Sequence, residues 1–116
     1  MTNVLSPLKA AVAAASLAGF VSIAVAGVSL TDRVDAGETN IHRVWTSSGN
    51  SRVVVDGDGD TDLDCYVYDR SGNMIGFDND ITDYCIVAIT QRRGGEIVIE
   101  IENLGTVYNQ YRLHVE

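Results

Sequence analysis

Residues Glu96 to Glu102 read Glu-Ile-Val-Ile-Glu-Ile-Glu. Ile97, Ile99 and Ile101 hold one parity, while Glu96, Glu100 and Glu102 hold the other. Successive side chains of an extended chain point to opposite faces, so this spacing sorts isoleucines to one face and carboxylates to the other. A helix would scatter both sets around its circumference. The segment therefore predicts a half-buried strand, apolar towards a core and acidic towards water.

The same rhythm runs outward in both directions. Short apolar runs occupy Ile41 to Thr46, Arg52 to Asp56, Asp62 to Tyr68, Met74 to Phe77, Tyr84 to Thr90 and Tyr108 to Val115. Turn chemistry separates them: Ser47-Ser48-Gly49-Asn50, Arg70-Ser71-Gly72-Asn73, Arg93-Gly94-Gly95 and Asn103-Leu104-Gly105. The second of these suits a hairpin containing a residue of positive φ. No stretch after residue 30 sustains a helical period. About seven antiparallel strands packed as a β-sandwich are the expected architecture.

Cys65 and Cys85 are the only cysteines. By parity each falls on an apolar face, Cys65 with Leu63 and Val67, Cys85 with Val87 and Ile89. Two cysteines without paired histidines leave a zinc tetrahedron unfilled, so a disulfide is expected in an oxidising compartment.

The chain start points to such a compartment. From Ala10 to Leu30 there is no charged residue, and Ala24-Val25-Ala26 fits a small-x-small cleavage site. Residues 1–26 are expected to be a signal peptide, 27–40 a polar lead-in segment and 41–116 the sandwich domain. An uncleaved membrane anchor is the alternative. Removing Lys9, the sole lysine, makes the net charge of −8 more negative by one and leaves only Arg against 16 acidic residues. Such a surface disfavours nucleic acid and, once the leader is gone, anionic membrane. Divalent cations or basic partners suit it better.

Asp56, Asp58, Asp60, Asp62 and Asp64 alternate at the mouth of one strand, and Asp78, Asp80 and Asp83 form a second group just before Cys85. Hard carboxylate oxygens in such number suit calcium. An EF-hand starting at Asp56 fails, since its sixth and twelfth positions are Thr61 and Val67. A site would have to be assembled from both loops, with Asp60, Asp62, Asp64, Asp78, Asp80 and Asp83 as its expected ligands. A solvated acidic loop is the competing reading.

Residues 57–85, GDGDTDLDCYVYDRSGNMIGFDNDITDYC, with GGEIVIEIENLG at 94–105 and YNQYRLHV at 108–115, resemble the bacterial pre-peptidase C-terminal domain family. The resemblance spans Ile41 to Glu116 and implies a jelly-roll-like β-sandwich, commonly appended to secreted proteases, some members of which bind calcium. Its D-x-D-L-Y-V pattern lies on Asp62, Asp64, Cys65, Tyr66 and Val67, with Cys65 where Leu is usual. Thr90-Gln91-Arg92-Arg93 departs from the Thr-Pro and aromatic that relatives often carry there.

Other residues add little chemistry. His42 and His114 alternate with apolar neighbours and lack catalytic partners at defined spacing, which favours structural roles. Trp45 and the tyrosines suit core or edge packing, with a carbohydrate or peptide platform as the alternative. The expected protein is a secreted or periplasmic, monomeric, non-catalytic module that binds a protein or polysaccharide partner. A carboxylate-based hydrolase and an inhibitory or structural partner-binding protein are the rival readings.

Overall fold

The computed structural model describes residues 27–116, and all regular structure there is β-strand. The expected signal peptide lies outside the described residues. Eight strands follow one another: β1 (Val28–Val34), β2 (Thr39–Thr46), β3 (Gly49–Asp56), β4 (Leu63–Asp69), β5 (Met74–Asp78), β6 (Tyr84–Gln91), β7 (Gly95–Asn103) and β8 (Asn109–Val115). They form two four-stranded antiparallel sheets, ordered β1-β8-β3-β6 and β2-β7-β4-β5. The partners nest: β4 with β5, β3 with β6, β2 with β7, β1 with β8. One long hairpin, bent over so that its arms alternate between sheets, produces this order.

The strand count corrects the sequence reading by one, and the correction falls in the lead-in segment. Residues Val28–Val34 form β1, paired along its length with β8, and Val34 is fully buried. The alternation Val28-Ser29-Leu30-Thr31 is interrupted by Asp32 and Arg33, which hides it in the sequence. The structure tolerates Asp32 because its carboxylate faces polar groups: Asn40 Nδ2 lies at 3.4 Å and His42 Nε2 at 3.6 Å.

Strand parity elsewhere holds. Ile97, Ile99 and Ile101 of β7 and Leu63, Cys65 and Val67 of β4 face Val53 and Val55 of β3 and Leu113 of β8, all with no exposed surface. Each such side chain stabilises by about 1.5–3 kcal/mol relative to exposure. The β4–β5 turn is a hairpin with Gly72 at φ 86°, and the Asp69 carboxylate accepts from the backbone N–H of Ser71 and of Asn73, both at 2.9 Å. Those bonds hold the Asp69 carboxyl below the usual carboxylate range.

Cys65 and Cys85 are joined, with Cα atoms 6.3 Å apart. Cys65 lies in the second sheet and Cys85 on β6, the edge strand of the first, so the bridge ties one sheet to the other.

Candidate binding surface

The tie and the backbone bring the two acidic loops side by side. Gly57 N–H donates to the Asp83 carbonyl at 3.0 Å and Leu63 N–H to the Thr82 carbonyl at 3.2 Å. Most of the aspartates there act as loop caps. Asp83 Oδ2 accepts from Gly59 N–H at 2.6 Å and from Asn109 Nδ2 at 2.9 Å. Asp58 accepts from Gln110 N–H at 2.9 Å and from Asp60 N–H at 3.1 Å. Asp78 accepts from Ile86 N–H at 3.0 Å, and Asp80 accepts from both the N–H and hydroxyl of Thr82. The Thr82 bonds lower the Asp80 carboxyl from its ordinary value.

Two buried asparagines organise this end, Asn109, which the sequence did not single out, and Asn103, which it marked only as part of a turn. Asn109, fully buried, donates to Thr61 Oγ1 and Asp83 while accepting from Asp58 N–H. Asn103, also fully buried, donates to the carbonyls of Val34 and Val107 and accepts from Gly105 N–H. Their partners lie as far as 69 residues away in sequence, so no local pattern marks them.

The six aspartates expected as calcium ligands therefore do not form one cage. Among the described residues, no three His, Cys, Asp or Glu side chains converge as a metal-holding group. Asp60 is exposed, and Asp78, Asp80 and Asp83 spend oxygens on backbone donors. Asp62 and Asp64 differ, for each leaves a buried Oδ1 with no hydrogen-bond partner. Asp64 is 8% exposed, and its other oxygen accepts from the Tyr66 hydroxyl at 3.3 Å. Burial, followed by repulsion from Asp62, raises its carboxyl above the usual range, with Glu102 and Asp78 adding to the rise.

Asp64 opens onto the outer face of the second sheet. Register assigns three rows across that face: Thr39–Glu102–Asp64, Ile41–Glu100–Tyr66–Phe77 and Arg43–Val98–Tyr68–Met74. Trp45 and Glu96 extend it along β2 and β7. Tyr66 and Phe77 stack with centroids 6.5 Å apart and planes 22° from parallel. Ile41 is 56% exposed, Phe77 57% and Met74 49%, although strands usually turn polar groups to water. Arg43 pairs with Glu96 at 3.3 Å, leaving Asp64, Glu100 and Glu102 outside every ion pair of the described residues.

The histidines are structural. His42 shares a 2.6 Å hydrogen bond with the Tyr111 hydroxyl, which itself accepts from Asn40 Nδ2 at 2.9 Å. Burial lowers the His42 pKa against the opposing pull of Asp32. His114 pairs with Glu116 at 3.1 Å. Of the aromatics among the described residues, only Tyr111 is a core residue; Tyr66 and Tyr68 are half-buried on the outer face, while Tyr84 and Tyr108 are exposed.

No family model and no curated protein matches the sequence. Among solved structures, the pre-peptidase C-terminal domain of a Bacillus anthracis collagenase superposes with a TM-score of 0.67 at 11% identity, covering 84% of this chain and 96% of that one. Aeromonas hydrophila PliG, a periplasmic inhibitor of g-type lysozyme, superposes with a TM-score of 0.59 at 14% identity, covering 84% and 94%. At such identities the likeness is one of fold: the chain is a β-sandwich similar in fold to both.

Proposed function

We propose that this chain is an exported, non-catalytic, jelly-roll-like binding module that grips a protein partner through the outer face of its second sheet. The observation that carries the proposal is the apolar patch of Ile41, Tyr66 and Phe77 with Met74 in the adjoining row, in which Ile41, Phe77 and Met74 are exposed and Tyr66 is half-buried. Exposed apolar patches rimmed by polar groups mark interaction sites. The inter-sheet disulfide fits an extracytoplasmic location. Of the two structural neighbours, one is a periplasmic lysozyme inhibitor, which agrees with that location, and the other is a domain of a collagenase.

The test is retention of extracytoplasmic proteins from the producing cell by immobilised wild type and by Phe77→Ser. A protein held by the wild type and lost by a folded Phe77→Ser supports the reading. Identical retention refutes it, as does hydrolysis of a peptide or polysaccharide that Asp64→Asn abolishes. Calcium stabilisation is proposed on a narrower footing, at Asp62 and Asp64 with their unpartnered buried oxygens. A hundredfold excess over Kd would stabilise by about 2.7 kcal/mol, and coincident melts in calcium and chelator would remove it.

A further inference from the structure

Resting on that reading, we infer that the partner is cationic: the outer face of the second sheet receives Arg and Lys side chains, laid over Tyr66 and Phe77 and paired with Asp64, Glu100 and Glu102. Two independent observations point there. Glu100 lies directly across from Tyr66, and Glu102 lies across from Asp64, two residues before Tyr66 on β4, so three carboxylates outside every ion pair of the described residues share the face with the aromatic pair. Asp64 in addition holds a buried, unpartnered oxygen beside Asp62. Among the described residues the acidic loops also carry carboxylates outside every ion pair, but Asp58, Asp78, Asp80 and Asp83 there accept from backbone N–H groups. The opposite sheet turns Arg52, Arg112 and His114 outward, beside Asp56 and Glu116.

A guanidinium answers both features at once. It stacks on an aromatic face and donates in a planar fork to carboxylates, whereas an ammonium supplies only a point charge. A neutral or acidic partner would leave Asp64, Glu100 and Glu102 desolvated and unpaired, a penalty that excludes it. A polysaccharide would stack on the aromatics without answering the charge.

Nona-arginine, nona-lysine and nona-glutamate peptides provide the probes, with Trp45 fluorescence and calorimetry on the intact protein as readouts. Nona-arginine is expected to bind several-fold tighter than nona-lysine, to weaken as salt rises, and nona-glutamate not to bind. Glu100→Gln/Glu102→Gln is expected to weaken nona-arginine by about tenfold, and Phe77→Ser by a similar factor. Asp56→Asn/Asp60→Asn, away from this face, removes the same two charges and is expected to change little, with melting curves confirming that each variant folds. Equal losses in this control and in the Glu100/Glu102 variant would show mere net-charge attraction and overturn the inference. So would concentration-dependent dimerisation that the Glu100/Glu102 substitutions abolish, because the occupant would then be a second copy. If no cationic peptide binds while Phe77→Ser still loses a retained protein, the charge chemistry falls and the binding-module reading stands.

Discussion

Reducing the Cys65–Cys85 bridge tests how the two sheets are held together. The cysteines are 20 residues apart in sequence. Cross-linking such a loop removes about 2.1 + 1.5R ln 20, or roughly 11 cal/mol/K, from the denatured chain, which is about 3.3 kcal/mol at 25 °C. For a domain of this size, with a urea m-value of about 1–1.5 kcal/mol/M, the midpoint should fall by roughly 2–3 M on reduction. Urea titrations followed by far-ultraviolet circular dichroism and by Trp45 fluorescence measure it, with free thiols counted to verify reduction. Position adds a second expectation. β6 is an edge strand that pairs only with β3, and Cys85 is its covalent link to the second sheet beside the packing of Val87 and Ile89 and the Ile86–Asp78 hydrogen bond, so its amides should show the largest rise in hydrogen exchange. A midpoint shift under about 0.5 M, or exchange rising uniformly across both sheets, would refute the view that the bridge constrains the chain and anchors this edge.

Three further perturbations follow from the site and core. Asp64→Asn should stabilise the protein at pH 7 by about 1 kcal/mol, since the native carboxylate is buried and repelled. Its folded pKa is raised, so the penalty is present at neutral pH and shrinks as pH falls towards the carboxylate range; urea melts at pH 7 and 4 should show the gain fading. His42 has the reverse dependence: its folded pKa is lowered, so stability should fall as pH drops below about 6.5, and His42→Gln should flatten thermal melts recorded between pH 7 and 5. Gly76→Ala should destabilise by about 1–3 kcal/mol, because an added Cβ would sit 2.6 Å from Val87 Cγ1 and 3.3 Å from the Ala88 carbonyl; an unchanged urea midpoint would show that the sheets part easily at β5.

What the sequence revealed and what it hid divide along a physical line. Alternation in Glu96–Glu102 and Asp62–Tyr68, the Gly72 turn and the cysteine parity are local properties, and each maps directly onto the fold. β1 escaped because Asp32 breaks its pattern, and beyond the neighbouring Arg33 N–H its carboxylate faces Asn40 and His42, which sit across the sandwich on β2. The aspartates looked like one ligand set because repetition was visible while their partners were not. Asn109, Gln110 and Gly59, which occupy Asp58 and Asp83, come together only once β8 and both acidic loops are in place. The outward parity of Asp64, Tyr66 and Tyr68 was legible too. That Glu100, Glu102, Phe77 and Ile41 join them depends on register, which one strand alone does not encode.

The nested pairing of strands has a consequence for how such a chain is made. Only the β4–β5 contact forms between sequence neighbours; β1 waits for β8, some 80 residues later. Loop-closure entropy makes distant pairings slow, on the order of milliseconds to seconds. Pairing can therefore proceed outward from the β4–β5 hairpin through β3–β6 and β2–β7, and the β1–β8 contact closes last.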